Sequence, residues 1–254
     1  MRAQLVLLLV CGVCVVLPLP LVAGVFTTTT YHGDSDSGIT TQYTYTHAID
    51  FGTGETINGV PFAADSGANR VTYQYDVLGA TSSGTAATDN VSGSSNTLES
   101  RYIYDATPGQ DTTVILKGLT VGYTYTTTFY DIGSGSPGTQ YVAVRDGDAT
   151  RYVYDENSSG LGNGTLLRDT FTATRTQYTY TFTTTTNPLD SNPGDPNNTS
   201  SNSTFYLYGL SNQLVATPEP ATSTLLGSGL FLLALAGCRC KRGPWAKTPC
   251  VSAT

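Results

Sequence analysis

Two short acidic runs have the residue types and spacing for cation chemistry. Asp34-Ser35-Asp36-Ser37-Gly38 places carboxylates at alternate positions before a glycine, which turns successive oxygens toward one hard cation. The run points to Ca²⁺ held by Asp34 and Asp36, although Tyr45 stands where the closing acid of an EF-hand loop belongs. Asp146-Gly147-Asp148 is a second candidate. The competing reading of both is a solvated turn, where Asp and Gly are favoured anyway. No other cofactor is expected.

Catalysis has less to build on. His32 and His47 are the only histidines, and no Gly-x-Ser-x-Gly turn accompanies them. His47 alternates with apolar residues and reads as a packed core side chain, while His32 sits beside Gly33 and Asp34 and reads as a loop residue. A glycosidase needs only two carboxylates. Glu55, Glu99 and Glu156 lie in or beside turns, and nothing in the sequence marks a pair facing a cleft. The chain is therefore expected not to be an enzyme, with a glycan-active hydrolase kept as an alternative. Tyrosine faces stack on sugar rings while their hydroxyls hydrogen-bond, so a carbohydrate-binding module is the nearer alternative. No single Tyr is singled out, because cross-strand packing explains most of them as well.

The elements that must position these groups are strands. Ile39, Thr41, Tyr43, Tyr45, His47, Ile49 and Phe51 alternate with Thr40, Gln42, Thr44, Thr46, Ala48 and Asp50, which predicts a strand with one apolar face and one hydroxyl face. Similar stretches recur at 71–75, 102–104, 112–116, 123–130, 141–144, 152–154, 177–183 and 205–208. No stretch carries the pattern of a long amphipathic helix. Roughly nine or ten short strands separated by turn residues predict an all-β fold, a single antiparallel β-sandwich or jelly roll.

Two regions break the pattern. Residues 80–97 are nearly all Thr, Ser, Gly, Ala and Asn and predict a long mobile loop. Residues 187–203 hold Pro188, Pro193 and Pro196 among Asn, Asp and Ser and predict a second one. Two echoes occur. Thr41-Gln42-Tyr43-Thr44-Tyr45-Thr46 repeats letter for letter at Thr176 to Thr181, and Arg101-Tyr102-Ile103-Tyr104-Asp105 is echoed by Arg151-Tyr152-Val153-Tyr154-Asp155. Their spacings differ, so they read as shared strand composition rather than as repeats.

Between Val25 and Ala216 there are seven Lys or Arg against eighteen Asp or Glu, a balance of −11, more acidic than the −7 of the whole chain. That charge argues against nucleic acid or anionic lipid as partner and is compatible with Ca²⁺ and neutral glycans. All five cysteines lie outside this segment, at Cys11, Cys14, Cys238, Cys240 and Cys250, so it has no disulfide.

Both ends read as targeting segments. Arg2, the apolar stretch Leu5 to Val22, then Ala23 and Gly24 follow the order of a signal peptide over 1–24, with cleavage after Ala23 or Gly24. At the other end Thr217-Pro218-Glu219-Pro220-Ala221-Thr222 precedes an uncharged, apolar run over 223–237, a short transmembrane helix. Arg239, Lys241 and Arg242 follow it and favour keeping that side in the cytoplasm. Pro218 and Pro220 hold the backbone before the helix extended. Motif, apolar run and basic cluster over 217–242 resemble the PEP-CTERM sorting signal, and the resemblance implies an exosortase, a membrane transpeptidase, as processing partner. A tail of 243–254 extends past the usual end of such signals.

A second resemblance lies in the exported part, 25–214. Tyr45 to Gly52, Ile57 to Phe62, Leu116 to Tyr125 and Phe205 to Asn212 are similar to exported β-domains of planctomycete-type bacteria. That resemblance implies a galactose-binding-like sandwich and no particular activity. The expectation is thus a secreted or cell-surface protein, anchored before processing, with a structural or adhesive role in the envelope or extracellular polymer matrix. Its expected partners are the export machinery, signal peptidase, an exosortase and extracellular polysaccharide.

Overall fold

Thr, Tyr, Val and Phe favour a pleated, half-buried backbone, and strands built from them make up almost all of the regular secondary structure among the described residues. The computed structural model describes residues 24–65, 67, 69–86, 90–105, 110–133, 141–160, 162–185 and 205–215, all within the compact unit Met1–Val215. Residues 1–23, the 187–203 loop, Pro218, Glu219, Pro220, the 223–237 span, Arg239, Lys241, Arg242 and the 243–254 tail lie outside the described residues. Among the described residues no helix is long and apolar enough to cross a membrane.

The strands in chain order are β1 (Val25–Tyr31), β2 (Thr44–Asp50), β3 (Glu55–Ile57), β4 (Val60–Ala64), β5 (Arg70–Val71), β6 (Tyr75–Leu78) and β7 (Ser82–Thr85). One short helix, α1 (Ser94–Leu98), comes next. Then follow β8 (Arg101–Tyr104), β9 (Thr112–Lys117), β10 (Thr124–Ile132), β11 (Tyr141–Arg145) and β12 (Arg151–Asp155). The last are β13 (Gly164–Thr172), β14 (Gln177–Thr185), β15 (Tyr206–Leu207) and β16 (Gly209–Leu214).

A seven-stranded sheet runs β1-β13-β10-β16-β2-β4-β3, a six-stranded sheet β12-β11-β14-β9-β6-β5, and a three-stranded sheet β15-β8-β7. All pairings are antiparallel except β2 with β4. Four of the pairings are nested along the chain: β2 with β16, β9 with β14, β10 with β13, and β11 with β12.

Side chains of the two large sheets share one buried cluster. Phe129, Leu167, Phe171 and Leu210 from the seven-stranded sheet meet Val114, Val144, Tyr178, Tyr180 and Phe182 from the six-stranded one. Phe171 stacks on Tyr178 at 3.6 Å, and Phe129 sets its edge against Tyr180 and Phe182 at 4.9 Å. The reverse face of the seven-stranded sheet is also covered. Tyr130, Ile132 and Leu166 pack there with Phe62 and Val60 of β4, Ile57 of β3 and Leu98 of α1. The β3–β4 hairpin turns through Asn58 and Gly59, both at positive φ, the turn that Asn-Gly favours between strands.

Double coverage corrects several expectations. The strand expected over Ile39 to Phe51 is only Thr44–Asp50, and its alternation breaks. A bulge pairs Asn212 with His47 but Gln213 with Tyr45, so Tyr45 packs with Ala48 on the reverse face while Ile49 points to the inter-sheet core. Asp50, placed on the outer hydroxyl face by period alone, is buried and accepts from Gly52 N and Gly54 N. Within 80–97, the expected mobile loop, the described residues include β7 and α1, with Ala80 and Val91 buried. The 71–75 stretch is not a strand either, since β5 ends at Val71 and Tyr73 is exposed. The strand β13 is buried on both faces over Gly164 to Leu167, so Leu166 and Leu167 each meet a core, and alternates from there to Thr172.

Candidate functional site

An open cleft of about 370 Å³ lies between β2, the segment before it and the β3–β4 turn. Its lining is Thr41, Tyr43, Tyr45, Thr46, Ala48, Gly59, Val60 and Pro61, with no charged group among them. Tyr43 is 48% exposed, and Tyr45 is fixed by the Thr40 N–H donating to its hydroxyl at 3.1 Å. Thr46 Oγ1 is engaged by Asn212, but an accessible Tyr ring, a braced Tyr and the Thr41 hydroxyl combine a stacking face with hydrogen-bonding groups, the mix that suits a neutral sugar.

The expected Ca²⁺ ligands bind backbone instead. Asp34 accepts from Ser94 N, Ser95 N and Ser95 Oγ at 2.7–3.1 Å and so caps α1 from a distant loop. Burial opposes its ionisation, but these donors outweigh burial and hold the carboxyl below its usual range. Asp36 accepts from His32 N and Gly33 N, each at 3.0 Å, and its carboxyl is lowered in the same way against burial. The two carboxylates serve different partners rather than one centre. No group of three His, Cys, Asp or Glu fit to hold a metal occurs among the described residues. His32 is exposed beside Asp36, and His47 is buried, donating from Nε2 to Gln74 O at 2.9 Å, with Nδ1 3.0 Å from Thr46 Oγ1. Burial lowers the His47 pKa, so it stays a neutral core group.

The structure also gathers two sets of buried carboxyls that sequence reading left apart. In the first, Asp131 at the end of β10 accepts from Tyr154 Oη at 3.0 Å and from Ile132 N at 2.8 Å. Glu156 faces it, and neither Glu156 oxygen has a well-aligned donor. Burial pushes both carboxyls up, Asp131 to about 7, so the pair holds a proton where free carboxyls have lost theirs. Nearby, Tyr31 Oη donates to the buried Glu99, whose carboxyl burial also raises.

The second set joins β13 to the turn after β11. Asp169 Oδ2 accepts from Tyr180 Oη at 3.0 Å, and Asp148 Oδ2 accepts from Tyr178 Oη at 3.1 Å. Asp146 Oδ1 accepts from Asp148 N and Thr150 N and so organises the turn, while burial outweighs these donors and raises its carboxyl pKa. Asp146 Oδ2 and Asp169 Oδ1 are buried and accept no hydrogen bond. Burial pushes Asp169 up to about 7, helped by the like charges of Asp146 and Asp148. Of these residues, only Asp146 and Asp148 stood out in the sequence. Asp169 alternates with Leu167 and Phe171 in Leu167-Arg168-Asp169-Thr170-Phe171, and that spacing was the available signal for an inward Asp169.

In comparisons with known proteins, no family model matches the chain, and no curated protein or solved structure matches it.

Proposed function

We propose that this chain is an exported cell-surface protein with a structural or adhesive, non-catalytic role, holding neutral extracellular polysaccharide in the cleft at Tyr43. The uncharged lining of that cleft, on a segment otherwise strongly acidic, is the observation that carries the reading. Sugars lacking charge meet no electrostatic penalty there, and the acidic surroundings repel anionic competitors. Asp131 and Glu156 are buried and do not line this cleft.

We further infer a β-sandwich of jelly-roll type, similar to galactose-binding-like domains, as the delivered part. The four nested pairings support it, because a jelly roll is a long hairpin rolled so that first pairs with last and second with second-last. Delivery is proposed through a signal peptide and the PEP-CTERM signal, with an exosortase acting near Pro218-Glu219-Pro220.

Affinity electrophoresis through gels cast with neutral polysaccharides tests the adhesive role. Retardation is expected with at least one of them, and Tyr43→Ala should weaken it about tenfold. Equal mobility in all gels sinks the reading. Intact mass from an exosortase-bearing host tests delivery: the mature chain should lack everything beyond about Ala221. Retention of Trp245 would leave the tail as a plain anchor.

A further inference from the structure

We infer that export cleaves the Ala23–Gly24 bond and that the new α-ammonium of Gly24 seats between Asp146 and Asp169 as their counter-ion. The inference rests on the export reading above. Its geometry does not.

Gly24 is buried just before β1. Phe26, two residues on, packs against the inter-sheet core, so Gly24 shares the inward face. A Cβ placed on Gly24 would fall 2.4 Å from Asp146 Oδ2, 2.6 Å from Asp169 Oδ1 and 3.2 Å from Asp169 Oδ2. The first two are the same oxygens that accept no hydrogen bond. Asp169 is fully buried and Asp146 is 5% exposed, so water does not serve them freely. Two buried carboxylate oxygens thus converge on the backbone of one glycine, and no side chain fits between. Burying unpaired carboxylates is costly, and the cost falls sharply when a cation enters with hydrogen bonds.

Peptide-bond hydrolysis supplies that cation in place. One water is consumed. Its oxygen stays on the Ala23 carboxylate, which leaves with the leader, and both of its protons pass to the Gly24 nitrogen. A neutral amide with one N–H becomes a cation with three donors at the same atom. Two of them suffice for Asp146 Oδ2 and Asp169 Oδ1. Ala23 offers signal peptidase the small residue it needs before the cut.

The test has two arms. First, N-terminal sequencing of the exported protein should read Gly24. A cut at any other bond overturns the inference and leaves export standing, whereas a retained leader overturns both. Second, the leaderless chain beginning at Gly24 is compared in thermal unfolding at pH 7 with the same chain beginning at Ala23. The Gly24 form should melt about 5–10 °C higher. In Asp169→Asn the two forms should melt together. Equal melting of the two wild-type forms overturns the inference. So does a chelator-sensitive melting temperature of the Gly24 form, which would assign the carboxylates to a metal ion. If Asp169→Asn does not fold, wild-type amine reactivity decides. An acylating reagent at pH 7 should label the Gly24 amine at least tenfold more slowly than that of the Ala23 form, and equal labelling overturns the inference.

Discussion

The Asp131–Glu156 pair and the Asp146–Asp169 pair put the same chemistry in two settings. Both begin from a carboxylate on the inward face of neighbouring strands, β10 and β13, and in both burial raises the carboxyl pKa. Asp131 and Glu156 face each other, with Tyr154 donating to Asp131, so a shared proton removes the charge problem locally. Asp146 and Asp169 instead aim their unsatisfied oxygens at the backbone of Gly24. A buried acid pair can therefore be closed on itself or left open toward another group. What differs is whether a neighbouring acid or a chain segment occupies the remaining side.

The largest expected effect tests the closed pair. Asp131→Asn removes an ionisable group but keeps an oxygen for Tyr154. The wild-type carboxyl keeps its proton to about pH 7 in the native state, while the unfolded chain releases it near 4. Stability from this group is therefore full below about pH 4 and is lost as pH rises to about 7. Denaturant titrations should show Asp131→Asn gaining on the wild type across that window, by on the order of 2–4 kcal/mol at pH 8. A difference that does not change with pH would remove the shared proton from the account.

A smaller effect tests the open pair. Gly24→Ala adds a methyl where Asp146 Oδ2 and Asp169 Oδ1 already stand, so it should cost about 1–3 kcal/mol by denaturant unfolding. Gly118→Ala is the contrast. No atom lies within 4 Å of a Cβ there, but its φ of 75° makes any loss one of backbone conformation rather than packing. A Gly24→Ala chain as stable as the wild type would mean that Asp146 and Asp169 do not crowd that backbone.

The smallest effect concerns the turn that carries Asp146. Ala149 has φ 63°, a left-handed conformation that costs a residue with a Cβ. Ala149→Gly should raise stability by about 0.5–1 kcal/mol, read as a small rise in melting temperature. It should leave the closed pair's pH dependence unchanged.

The echoed segments show how far local reading reaches. Thr176 to Thr181 leads into β14, where Tyr178 and Tyr180 are buried between the sheets. The same six letters at Thr41 to Thr46 make a turn and the start of β2, with Tyr43 exposed in the cleft. Identical local propensity yields a core strand in one place and a binding surface in the other. The bulge at Asn212 and Gln213 and the neighbours across the sheet make the difference. The five-residue echo behaves likewise. Ile103 is the fully buried residue of β8, whereas Tyr154, a position of the opposite parity, is the buried one of β12.

By itself the sequence determined that the segment between the two apolar ends is strand-rich, acidic and free of cysteine, and that His47 belongs to a core. These follow from composition and short-range period, which act over a few residues. Tertiary structure alone decided that the seven-stranded sheet is covered on both faces, so that Leu166 and Leu167 of β13 each meet a core. It alone brought Asp131 to Glu156 and Asp146 to Asp169, and gave Asp34 to the cap of α1. Those meetings join residues far apart in the chain. Which side chains meet is set by sheet register and by burial, where one residue of slip turns every side chain to the other face.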